Sequence, residues 1–99
     1  METKRITLAT LKSFVKNNES KLYLNIRSDF DGMIDGMRYL NDGFKPAEKD
    51  SDPDHHNLGI RGLWLVCSSR DYFRPYDDGK FKGIEISNCC QHSFLAIKL

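Results

Sequence analysis

Residues 70 to 87 leave few folds open to this chain. The stretch Arg70-Asp71-Tyr72-Phe73-Arg74-Pro75-Tyr76 runs into Asp77-Asp78-Gly79-Lys80 and then into Phe81 to Ser87. Two residue runs of strand type on either side of Asp, Asp and Gly read as an antiparallel hairpin, with Gly79 supplying the positive φ the turn needs. Pro75 has no N–H to give to a neighbour, so its strand belongs at a sheet edge. Arg70, Tyr72, Arg74 and Tyr76 fall at alternate positions and therefore share one face of that strand. Tyr and Arg dominate binding hot spots, which makes these four the first candidate partner-binding patch. The competing reading is that aromatics of this strand, Phe73 especially, simply cover the core.

The remaining segments build an α+β domain around this hairpin. Thr7 is a plausible N-cap, and Leu8, Leu11, Phe14 and Val15 recur at helical spacing, so residues 8 to 17 read as an amphipathic helix closed by Asn17-Asn18 in the left-handed conformation. Leu22, Leu24 and Ile26 alternate with Tyr23, Asn25 and Arg27, the period of a strand with one buried face. Residues 30 to 40 fit either a helix weakened by Gly32 and Gly36 or a bent strand pairing with residues 22 to 27. Residues 41 to 59 read as a long acidic surface loop. Ile60 to Cys67 is apolar and reads as a central strand covered on both faces. Ser93 to Leu99 reads as the last strand, pairing back into the sheet. The expected architecture is one domain over residues 1 to 99, an N-terminal helix packed on an antiparallel sheet of four to five strands. Trp64, Leu65, Phe14 and Leu95 are assigned to its core.

The chain has 99 residues, 39% hydrophobic and 29% charged, the balance of an ordinary soluble domain with one core. Its longest apolar runs fall far short of the roughly 20 residues a bilayer span needs. The N-terminus has no apolar segment of a secretory signal, and three cysteines (Cys67, Cys89, Cys90) are an odd count, so a cytoplasmic protein with free thiols is expected. Net charge is +1, but the signs are segregated. Residues 29 to 54 carry eight acids against three bases, a net of −5, while both flanks are basic. Within that segment Asp50, Asp52 and Asp54 form a second candidate partner-binding patch, because carboxylates on a compact domain can occupy the basic channel of a nucleic-acid-handling protein.

Catalytic and metal chemistry finds little support. Asp29, Asp31 and Asp35 invite a calcium reading, but a loop begun at Asp29 puts Met33 at its fifth position and Ile34 where glycine belongs. His55, His56, Asp52, Asp54, Cys89, Cys90 and His92 include zinc-ligand types without any C-x-x-C or H-x-x-x-H spacing. Cys90 and His92 could pair as nucleophile and base, yet no nucleophile elbow, oxyanion loop or phosphate cradle accompanies them. No cofactor, metal or catalytic residue is assigned.

Ile6 to Phe14, Phe30 to Gly36, Leu58 to Val66, Ser69 to Phe73 and Gly83 to Asn88 together resemble a family of small accessory proteins of bacterial plasmids, prophages and integrative elements. That resemblance implies proteins which bind and block host defence machinery, in the manner of anti-CRISPR and antirestriction proteins. The expectation is a non-catalytic protein-binding module, monomer or homodimer, acting by occlusion on a nucleic-acid-handling defence complex, with no membrane association. Two alternatives stand beside it. One is a single-stranded nucleic-acid binder using the aromatic and basic strand 70 to 76. The other is a small thiol or metal enzyme around Cys89, Cys90 and His92.

Overall fold

The computed structural model describes residues 6–29, 43–50, 57–65, 71–88 and 91–99. The helix over residues 8 to 17 is there as α1 (Leu8–Asn17), started by the Thr7 hydroxyl, which accepts a hydrogen bond from the Thr10 N–H at 3.2 Å. Its end differs from expectation. Asn18 has φ −132°, not a left-handed value, because its side-chain amide donates to the Phe14 carbonyl at 2.8 Å and satisfies an orphan helix acceptor directly. Leu11 and Val15 are buried against the sheet.

Five antiparallel strands follow: β1 (Leu22–Asp29), β2 (Lys45–Pro46), β3 (Tyr72–Asp77), β4 (Phe81–Ser87) and β5 (Gln91–Lys98), in the order β2-β1-β5-β4-β3. The helix and five-stranded antiparallel sheet make this an α+β fold. Residues opposite one another across an antiparallel ladder point to the same side. Leu24 lies opposite Leu95, and Leu95 opposite Ile84; Ile26 lies opposite Ser93, then Ile86, then Phe73. These rows define the face that meets α1, and every residue in them is buried.

β3 is an edge strand, as Pro75 requires. The Phe73 carbonyl points outward and accepts from the Ile6 N–H at 3.2 Å, so Pro75, two residues on, turns its nitrogen to the same open side. Asp78-Gly79-Lys80 closes the hairpin, with Gly79 at φ +88°.

Two sequence expectations fail in instructive ways. Residues 60 to 65 form no central strand; Ile60 makes one isolated bridge to Lys49, and the chain then turns through Gly62 at φ +87°. That role falls instead to β5, which has a partner on each side. Burial of the segment is nevertheless real at Leu63 and Leu65, each 1% exposed, while Trp64 between them is 37% exposed and outside the core. Phe14 is half-buried and packs against the core, and Leu95 is wholly buried within it.

Irregular buried backbone must find hydrogen bonds elsewhere, and here two side chains provide them. Gln91, 3% exposed, accepts from the Trp64 N–H at 2.9 Å and donates to the Gly62 carbonyl at 2.8 Å. Asn88 donates to the Trp64 carbonyl at 3.1 Å and accepts from the Gln91 N–H at 2.9 Å. The loop at 41 to 59 is likewise not featureless where it is described. Lys45 and Pro46 pair with Leu24 and Tyr23, and Asp50 N–H donates to the Gly59 carbonyl beside the Lys49 to Ile60 bridge. Residues 30 to 40, whether helix or strand, lie outside the described residues.

Gln91→Ala should cost about 1–3 kcal/mol in chemical denaturation, because it strips two hydrogen bonds from the partly buried backbone at Gly62 and Trp64. Ser93→Ala is the contrast. Ser93 is wholly buried and its hydroxyl has no partner among the described residues, so that change should be neutral or stabilising by about 1 kcal/mol.

Candidate functional site

The side chains that alternate with the core rows project from the opposite face of the sheet, away from α1. One row crosses four strands: Tyr23 on β1, Ala96 on β5, Gly83 on β4 and Tyr76 on β3. Its centre is small by necessity. A Cβ at Gly83 would come within 2.1 Å of the Leu95 carbonyl oxygen and 2.5 Å of the Ala96 Cα, so no other residue fits.

Aromatic rings gather around this low centre. Phe44 stacks on Phe81 with centroids 4.3 Å apart and planes 19° from parallel. Tyr23 meets Phe81 edge-on at 5.3 Å, and Tyr76 packs on Phe94 at 4.6 Å. Phe44 lies 5.9 Å from Tyr76 and 6.4 Å from Phe94, which joins the pairs into one five-ring cluster. All five rings are half-buried, whereas Ala96 is wholly buried although it faces away from the helix. The cluster is therefore a second, shallow apolar layer on a face that no helix or further strand among the described residues covers.

Polar groups border it. His92 lies 5.0 Å from Phe94, and its Nε2 is 2.8 Å from the Glu85 carboxylate. The Arg74 guanidinium sits 4.4 Å from the centroid of the Tyr72 ring, with Tyr72 37% exposed. Arg27, at a bulge in β1, lies close enough to act electrostatically on Tyr76, and Lys98 lies opposite Phe81. Tyr76 donates its hydroxyl hydrogen to Asp78 at 2.7 Å. Asp78 also accepts from the Phe81 and Lys80 N–H groups at 2.7 and 2.8 Å, which tightens the turn under the cluster. The Phe81 N–H first, then the Tyr76 hydroxyl and the Lys80 N–H, hold the Asp78 carboxyl below its ordinary range. The same bond to Asp78 pushes the Tyr76 hydroxyl above its ordinary value.

Of the first candidate patch, Tyr72, Arg74 and Tyr76 do share one face, opposite buried Phe73; Arg70 lies outside the described residues. Of the second, Asp50 is half-buried and accepts a hydrogen bond from the Asn57 amide, while Asp52 and Asp54 lie outside the described residues. Asp50 also lines a cleft of about 270 Å³ floored by Val15, Leu22 and Ile60. The carboxylate thus helps to fasten the turn at 57 to 60.

Cys67, Cys89, Cys90, His55, His56, Asp31, Asp35, Asp52 and Asp54 lie outside the described residues, so of the thiol and metal readings His92 is placed on β5 and Asp29 at the end of β1, opposite Gln91. Among the described residues, no group of three His, Cys, Asp or Glu side chains is arranged to hold a metal ion. No helix among them is long and apolar enough to cross a membrane.

Sequence reading found the β3 part of this face and missed Tyr23, Phe44, Phe81 and Phe94. The available signal was Phe94-Leu95-Ala96-Ile97, four consecutive apolar residues in a strand, which requires cover on both faces. No protein-family model matches the chain, and neither a curated protein nor a solved structure matches it.

Gly83→Ala should destabilise the domain by about 1–3 kcal/mol or more, since the clash is with backbone that cannot rotate away. Denaturant midpoints would show it. Asp78 should titrate below the ordinary aspartate value of about 3.9. A depressed pKa adds stability above the ordinary carboxylate range that is lost as pH falls through the folded-state value. Tyr76→Phe should move the Asp78 midpoint upward in a carboxyl NMR titration, and an unmoved midpoint would contradict the bond.

Proposed function

We propose that this domain is a non-catalytic protein-binding module that engages its partner through the face of the sheet opposite α1. The observation that supports this reading is the five-ring cluster on that face, half-buried but not covered by any described element, with Tyr72 and Arg74 beside it. Large aromatic and Arg side chains gathered on a rigid sheet have the composition of interface hot spots. A sheet whose edge strand carries Pro75 and whose edge carbonyl is already engaged by Ile6 is poorly suited to binding by strand addition, which leaves the face.

The finer reading is that the partner is a nucleic-acid-handling defence complex, occluded by a small accessory protein of a mobile element. It rests on the resemblance drawn from the sequence and on the acidic segment from 29 to 54. Direct binding of single-stranded nucleic acid through the same face is less favoured. A net charge of +1, with Asp77 and Asp78 at the end of the same strand, offers a phosphate backbone little to hold.

An affinity capture from nuclease-treated bacterial lysate, comparing wild type with Tyr72→Ala/Arg74→Ala and Phe44→Ser, tests the module reading. The expected result is a protein retained after nuclease treatment and lost in the variants, with their folds verified by circular dichroism. Retention of nucleic acid alone, or a partner indifferent to these changes, would remove this face from the proposal.

A further inference from the structure

We infer that the segment this face accepts is an acidic polypeptide carrying interspersed aromatic or aliphatic side chains. The inference deepens the protein-binding reading above and rests on it.

Its ground is an imbalance in which charges on the face are already engaged. The carboxylate of Glu85 stands opposite Arg74 in the strand register, acts on it electrostatically, and is bonded to His92 at 2.8 Å. Asp78, in the turn beside the cluster, is held by three donors. The cations are placed differently. Arg27, Arg74 and Lys98 are exposed, and none makes an ion pair among the described residues. They border different parts of the cluster: Arg74 beside Tyr72 and one strand from Phe94, Lys98 opposite Phe81, and Arg27 toward Tyr76.

Three cations without an ion-pair partner among the described residues thus stand around a shallow apolar floor. Carboxylates on an arriving chain would find partners, and its apolar side chains would settle on the rings. Arg74 lies over the Tyr72 ring and interacts with the Tyr72 hydroxyl, and its remaining N–H groups form the planar fork that suits a carboxylate. A nucleic acid also carries the required negative charge, but the three cations border separate parts of the cluster, whereas a strand-binding groove tracks the phosphate backbone with a run of positive charge. The dispersed charge pattern favours scattered carboxylates over a phosphate backbone.

Fluorescence anisotropy with three labelled probes tests this: a poly(Glu,Tyr) copolymer, poly-Glu, and a thymidine oligonucleotide of matched charge. The copolymer should bind more tightly than the other two, and its affinity should fall as salt rises. Arg27→Gln/Arg74→Gln/Lys98→Gln should weaken it by about tenfold or more at low salt. These exposed substitutions leave the core untouched, and an unchanged unfolding midpoint would verify that. Three results would each overturn the inference: no binding of the copolymer by wild type, equal binding by the triple variant, or tighter binding of the oligonucleotide. If the captured partner is lost with Phe44→Ser yet retained by the triple Gln variant, the module reading stands and the acidic chemistry alone fails.

Discussion

Everything in this domain hangs on the ladders that β5 makes with its two neighbours. Seven residues of β5 pair with β1 on one side and seven with β4 on the other, and the strand alternates core and outer face without a break. Leu95 sends its side chain into the layer beneath α1, and Ala96 sends its own beneath the rings. Because Phe94, Leu95, Ala96 and Ile97 are apolar in succession, the sheet must be covered on both sides to be stable. The helix covers one side, and the aromatic cluster is the partial answer on the other. The candidate site is thus a consequence of how the sheet is centred, not an ornament added to its surface.

The same arrangement explains how a face can be apolar and still be held in one shape. Gly83 and Ala96 leave a low centre, and the larger rings lean into it from Tyr23, Phe44, Tyr76, Phe81 and Phe94. Each ring is therefore supported by another ring. Tyr76 is further tied through Asp78 to the turn, so the hairpin and the cluster stabilise each other. A binding surface organised in advance loses less side-chain freedom when a partner arrives.

Much of the fold was legible from local chemistry. Thr7 and the spacing of Leu8, Leu11 and Val15 located α1; Leu22, Leu24 and Ile26 located β1; Pro75 and Gly79 located the edge hairpin. What misled was hydrophobicity without hydrogen-bond accounting. Ile60 to Leu65 is apolar enough for a strand, but Gly62 turns the backbone and its partners are the side chains of Gln91 and Asn88. Nothing local in the sequence announces that pairing across such a separation. The site was half legible for a related reason. Tyr72, Arg74 and Tyr76 share a face by alternation alone, whereas Phe44, Phe81 and Phe94 join them only once the strand order is known. For Arg70, Asp52 and Asp54, placement falls outside the described residues.

The strand order also sets the sequence of events by which the molecule assembles. β3, β4 and β5 are successive hairpins and can form from near neighbours in the chain, but the β1 ladder brings Leu22 beside Ile97 from opposite ends. Closing that distance is an entropic cost met before any contact rewards it, so β1 and the helix preceding it dock late. Until they do, the three-stranded meander exposes both the open edge of β5 and the apolar row of Ile84, Ile86 and Leu95. Folding speed is thus governed by one long closure, and the interval before it is when the chain is most prone to associate wrongly with its copies.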